Sequence, residues 1–224
     1  MLRSLLLISF TVIFSSAGFS QRTCGTVENY NQMILKNPVL REQIENEVKA
    51  ITDRNELTKR RTQVVVAIPV VVHVIHNNEA IGTGTNISDA QIQSQIQAMT
   101  KDFRLLNPDS LQPSHPFWQF TCDVLIEFCL ARQTPGGQPS TGIERLNRGL
   151  DWSMSDCNNI LKPQTIWDPH RYLNLWTVDW EPGSPDLLGY AQSPGGPDET
   201  DGVVIGYTNF GTTGNVLAPY NLGR

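Results

Sequence analysis

An α/β fold is predicted for this 224-residue chain, a twisted mixed sheet of five strands backed by one helix, and three features predict it. Val64 to Ile75 is a nearly unbroken β-branched run, the pattern of a strand buried on both faces. Ser88 with Gln91 makes a capping box, and Ile92, Ile96, Met99, Phe103 and Leu106 follow at spacings of 4, 3, 4 and 3. Beyond them come several short apolar runs separated by Gly- and Pro-rich turns.

Taken in order, Pro69 implies a bend or an edge early in the first strand. Gly82 and Gly84 supply a turn, and the helix runs from about 89 to 106, ended by Asn107-Pro108. Cys122 to Leu130 alternates, with Asp123 and Glu127 on its wetter side. Residues 132 to 170 read as loop-rich. Tyr172 to Val178, Leu187 to Gln192 and Gly202 to Tyr207 complete the five strands, with Gly195-Gly196-Pro197 between the last two. One helix cannot cover both faces of such a sheet, so one face is expected to need a partner or further sequence.

The N-terminus has a different texture. Arg3, the apolar run Leu5 to Phe14, and the small residues Gly18 and Ser20 read as a signal peptide over residues 1–20, cut before Gln21; the alternative is an uncleaved anchor. Residues 21–60 form a polar, helix-favouring pro-segment, with helices over Glu28 to Leu35 and Val39 to Leu57. Leu40, Ile44, Val48 and Ile51 make only a thin apolar stripe. Lys59-Arg60-Arg61 reads as an exposed processing site or as a solvated helix end. Residues 61–224 are the domain. Export is thus expected, to an extracellular location. No later segment is apolar enough to cross a membrane.

A net charge of -5 with no Lys/Arg stripe argues against nucleic acid as a partner. Cys122 and Cys129 have an odd offset and face opposite sides of a strand, so they are not expected to pair with each other, and a pairing of one of them with Cys157 would leave an odd thiol. His73 and His76 also fall on opposite faces, and His115 and His170 lie in loops, so the four histidines suggest no metal cluster. GxSxG, P-loop and GxGxxG motifs are absent. Asp151, Asp156, Asp168, Asp186, Asp198 and Asp201 could furnish a carboxylate pair, but nothing in their spacing brings two together.

Ten strings occur in a suggestive order. They are Arg22-Thr-Cys-Gly-Thr26, Ile68-Pro-Val-Val-Val-His73, Asn86-Ile-Ser-Asp-Ala-Gln-Ile92, Ile126-Glu-Phe-Cys-Leu-Ala131, Trp167-Asp-Pro, Tyr172-Leu-Asn-Leu-Trp176, Leu188-Gly-Tyr-Ala-Gln192, Gly195-Gly-Pro197, Asp201-Gly-Val-Val-Ile205 and Ala218-Pro-Tyr-Asn-Leu-Gly-Arg224. Together they resemble the pappalysin family of metzincin zinc proteases, near its ulilysin-like members.

The resemblance implies a metzincin-like upper subdomain and a secreted zinc-dependent endopeptidase acting on protein or peptide substrates. In the family, H-E-x-x-H-x-x-G-x-x-H follows the Asn-Leu-Gly-Arg string and holds zinc. This sequence has no such motif, so the chain as given is expected to bind no catalytic zinc and to be inactive. Calcium is possible in the intact protein. Cys24 matches the pro-segment cysteine that keeps such zymogens latent by ligating zinc, the alternative being a structural cysteine. Leu188, Gly189, Tyr190, Ala191 and Gln192 match the edge strand to which substrate adds antiparallel, the alternative being an ordinary edge. Arg60-Arg61 would be the activation cut. A rival reading is a non-catalytic secreted binding module that reuses this half-domain.

Overall fold

The computed structural model describes residues 23–57, 64–184 and 186–223. The expected signal peptide, Arg60, Arg61 and Arg224 lie outside the described residues. Among those described, no helix is long and apolar enough to cross a membrane.

The described sheet has seven strands rather than five: β1 (Thr23–Cys24), β2 (Val66–His76), β3 (Ile126–Leu130), β4 (Ile143–Asn147), β5 (Leu173–Val178), β6 (Leu187–Ala191) and β7 (Val203–Gly206). Their order is β1-β6-β7-β5-β2-β3, and β4 also pairs with β2. The long β2 explains this arrangement. Val66 to Val70 pair with β3 and Val72 to His76 with β4, while β5 takes the other edge. All pairings are parallel except β6 with β7.

Helices α1 (Thr26–Lys36) and α2 (Val39–Leu57) precede β2, and α3 (Asp89–Phe103) follows it. Ser88 caps α3 as expected, its hydroxyl accepting from the Gln91 N–H at 3.2 Å. The Gln91 side chain does not close the box. Its amide is drawn elsewhere: Nε2 donates to the carbonyls of Tyr207 and Phe210. The helix also stops a turn before Leu106. Leu105 is left-handed (φ 53°), and the N–H groups of Leu105 and Leu106 return to the carbonyls of Asp102 and Lys101. Leu106 is left 65% exposed, so the apolar spacing overran the helix.

Both faces of the sheet are covered over their central strands, which overturns the expectation of a bare face. On one face Val70, Val72, Val74 and Leu175 pack with Ile92 and Ile96 of α3 and with Phe210. On the other, Ile75, Trp176, Val178, Tyr190 and Val204 pack against Cys157 and Leu161. These two come from a helical run over residues 154–165 inside the stretch read as loop. Its middle turn, Cys157–Leu161, is π-helical, with the Lys162 N–H reaching the Cys157 carbonyl. Pro163 follows at once and has no N–H to give, so the widened turn takes up the mismatch.

His73 is buried between the layers. Its Nδ1 lies 2.8 Å from a Glu144 carboxylate oxygen, its Nε2 lies 3.0 Å from Asn174 Oδ1, and its ring stacks on Trp176. Burial pushes the Glu144 carboxyl up, but the hydrogen bond and charge of His73 outweigh it and leave the group below the usual range. His73 thus braces the sheet and stands apart from His76, as expected for a strand.

Candidate functional site

Of the site residues expected from the sequence, Cys24 and Leu188 to Gln192 lie on the β6 side of the sheet. In β6, Gly189 and Ala191 pair antiparallel with Ile205 and Val203 of β7. Gly189 lies so close to β7 that a Cβ there would stand 2.6 Å from the Val204 carbonyl oxygen, so a side chain is excluded. Tyr190 is turned inward and is fully buried, so it can offer a ligand only its backbone. Leu188 and Ala191 are partly exposed, and Gln192 lies just past the strand. Its carboxamide is tied to the following loop, donating to the Pro197 carbonyl and accepting from Thr200 Oγ1.

The opposite edge of β6 is occupied by the N-terminal segment. β1 runs parallel to it, with Thr23 beside Leu187 and Cys24 beside Gly189. The Thr23 N–H donates to the Asp186 carbonyl and the Gly25 N–H to the Gly189 carbonyl, each at 2.8 Å. Gly25 permits this approach, since a Cβ would come within 2.8 Å of Leu187 and 2.9 Å of Met154. One residue further, the Ala191 N–H donates to Thr26 Oγ1 at 3.1 Å, and Asn29 Nδ2 donates to the Ala191 carbonyl at 3.2 Å. Asn29 Oδ1 accepts from Asn158 Nδ2, and Asn158 Oδ1 accepts from the Tyr190 hydroxyl at 2.9 Å.

Helix α1 therefore sits directly against the strand, and α2 completes the cover. Leu40 and Ile44 are buried, and the α2 backbone at Ile44 comes so close to Gly195 that a Cβ there would stand 3.3 Å away. The expected thin stripe is thinner still, because Val48 and Ile51 are exposed.

Cys24 is exposed at the mouth of a mainly apolar groove of about 350 Å³ along β6, between Leu188, Val203, Ile205, Gln95 and Tyr220. Its Sγ lies 3.3 Å from Thr26 Oγ1. Cys122 and Cys129 are exposed, Cys157 is buried, and all are free, so the pairing of either with Cys157 does not occur. Burial pushes the Cys157 thiol up to about 12, which keeps it neutral and unreactive.

Among the described residues no three His, Cys, Asp or Glu side chains are placed to hold a metal ion. The side chains present therefore do not by themselves fit a zinc site, and none of them is assigned a step through zinc. What the arrangement offers is a strand edge with outward backbone groups at Gly189 and Ala191, already held by a segment from the other end of the chain. The sequence reading missed Thr26, Asn29 and Asn158. A Thr-x-x-Asn pair in a first helical turn puts both side chains on one face, and that was the available signal.

No family model matches the chain, and no curated protein matches it. Solved structures do. A point mutant of Tannerella forsythia promirolysin shares 36% identity and a TM-score of 0.70, over 90% of this chain and 65% of that one. Mature Tannerella forsythia mirolysin in complex with a cleaved peptide shares 39% identity and a TM-score of 0.62, over 73% and 60%. Mirolysin in complex with a small compound shares 38% identity and a TM-score of 0.60, over 71% and 59%. The chain thus spans less than two thirds of the length of each. With this fold and this identity over most of its own length, the chain belongs to the pappalysin-family, ulilysin-like metzincin metalloproteases.

Proposed function

We propose that the chain is the N-terminal part of a secreted, zinc-dependent endopeptidase precursor, with residues 1–20 as signal peptide, 21–60 as pro-segment and 61–224 as the upper part of the catalytic domain. One observation carries this reading: the segment around Cys24 lies along the free edge of β6, the strand that the family uses to bind substrate. Mirolysin bound to a cleaved peptide supports a peptide as the ligand.

Bound zinc would polarise the scissile carbonyl and supply activated water, on ligands this sequence does not contain. The residues in hand do the rest. Gly189 and Ala191 present the backbone groups with which an extended peptide pairs, so binding is largely independent of substrate side chains. β1 runs parallel to β6, whereas substrate adds antiparallel. The pro-segment therefore holds the same edge in the reverse sense. The Cys24 thiol leaves the edge at Gly189, is free, and is available as a zinc ligand until a cut at Arg60-Arg61 releases it.

The test is latency in the complete protease carrying Arg60→Ala and Arg61→Ala, which blocks the cut. With Cys24 present it should be inactive on a fluorogenic peptide. Adding Cys24→Ala should give chelator-sensitive turnover at least about tenfold higher, the consequence of freeing one metal position. Equal latency in both would remove Cys24 from the switch.

A further inference from the structure

We infer that Thr26 and Asn29 form a side-chain latch on Ala191, and that this latch, more than the β1 backbone pairing, keeps the edge of β6 closed. The functional meaning of the latch rests on reading residues 21–60 as a pro-segment. β1 is only two residues long and exposed, and its parallel pairing with β6 covers Thr23 and Cys24, flanked by the Thr23 and Gly25 N–H bonds. So short a pairing is marginal without support.

Support comes from the first turn of α1. Thr26 Oγ1 accepts the Ala191 N–H and Asn29 Nδ2 donates to the Ala191 carbonyl. Between them, two side chains satisfy both outward groups of Ala191, as the backbone of a paired peptide would. Asn29 is 1% exposed although it lies on a surface helix. Its Nδ2 also approaches Met33 Sδ at 3.6 Å, and its Oδ1 is taken by Asn158, which in turn takes the Tyr190 hydroxyl. The carboxamide is fully engaged and tied through Asn158 to the buried face of the sheet.

The spacing adds a release mechanism. Thr26 and Asn29 are three apart, so only the helical turn aims both at Ala191. Unwinding α1 separates acceptor from donor and frees the edge as a unit. The ligand that would replace them is an extended peptide, paired through its own N–H and C=O groups.

Amide hydrogen exchange on the 224-residue chain tests this, because the Ala191 N–H is itself one of the latch bonds. Thr26→Val removes its acceptor, Asn29→Leu removes the donor, and Asn158→Ala removes the tether. Each should speed exchange at Ala191 and Gly25 by about tenfold, the worth of one lost hydrogen bond near 1.4 kcal/mol. Thr26→Ser should retain the wild-type rate, and Cys24→Ser should change it less than about twofold, since Cys24 touches neither Ala191 group. The Val72 amide, bonded to the Gly142 carbonyl in the core, should stay protected throughout and shows that each variant folds. Unchanged exchange at Ala191 in Thr26→Val and Asn29→Leu overturns the latch, whatever the fate of the substrate reading. Faster exchange supports the latch even if added peptide then fails to protect the opened edge, a result that would count only against substrate binding there.

Discussion

Trp176→Ala should lower folding stability by about 3–5 kcal/mol, the range for deleting a large buried aromatic side chain. Trp176 is fully buried on the second face of the sheet, and its role is not volume alone. Its ring stacks on His73 at 4.9 Å between centroids, and its indole N–H donates to Thr165 Oγ1 at 2.9 Å. Truncation therefore opens a cavity, strips His73 of its stacking partner, and frees the end of the helical run 154–165. Urea denaturation followed by far-UV and near-UV signals reads the change. A loss below about 1 kcal/mol would mean that this face collapses around the gap and is not the tightly packed layer described.

Lys162→Met should behave in the opposite way at neutral pH, leaving the protein as stable as wild type or more so. Lys162 is fully buried, donates to the Thr200 carbonyl at 2.9 Å, and lies over the rings of Tyr190 (4.6 Å) and Trp176 (5.5 Å). Burial pulls its ammonium down to about 8, with the nearby Cys157 and Asp201 opposing. The unfolded chain keeps an ordinary lysine near 10.4. Between pH 8 and 10.4 the unfolded state thus binds more protons, and stability from this group rises with pH. Below 8 the full cost of burying the cation is present, about 3 kcal/mol from the depressed value. The two aromatic faces each return on the order of 1 kcal/mol, which leaves an expected rise of about 1–2 kcal/mol. Urea midpoints at pH 7 and pH 10 should converge between wild type and variant as pH rises. A wild type more stable than Lys162→Met at pH 7 by over about 2 kcal/mol would show that the buried cation is net favourable.

How far the fold could be read in advance depended on where each residue's partner lies. β2 was legible because its β-branched run states its own burial, and the start of α3 because Ser88 and Gln91 form a local cap. β4 was not. Its Glu144 and Arg145 look like loop residues, yet Glu144 meets His73, and Arg145 donates to Asn86 and to the Ile87 carbonyl at the start of α3. Those partners are 58 to 71 residues away, beyond any local pattern. The helical run 154–165 was hidden by its π turn and by Pro163, which break the helical period.

The site divides in the same way. Cys24 and residues 188–192 were identified through the family resemblance, and each was placed at its own point in the chain. That Thr23–Cys24 lies parallel to β6, and that Asn29 reaches an Ala191 carbonyl 162 residues away, is tertiary information alone. The bare sheet face inferred from a single helix was wrong because a second helical layer was hidden in the loop-like stretch.

That residues 23–25 occupy the free edge of β6 is tested most directly by the exchange rate of one amide, Gly25. Its N–H donates to the Gly189 carbonyl at 2.8 Å, so exchange should be slower than in an unstructured peptide by at least about tenfold. Exchange at the free-peptide rate, with the Val72 amide still protected, would contradict the pairing and with it the occupied edge.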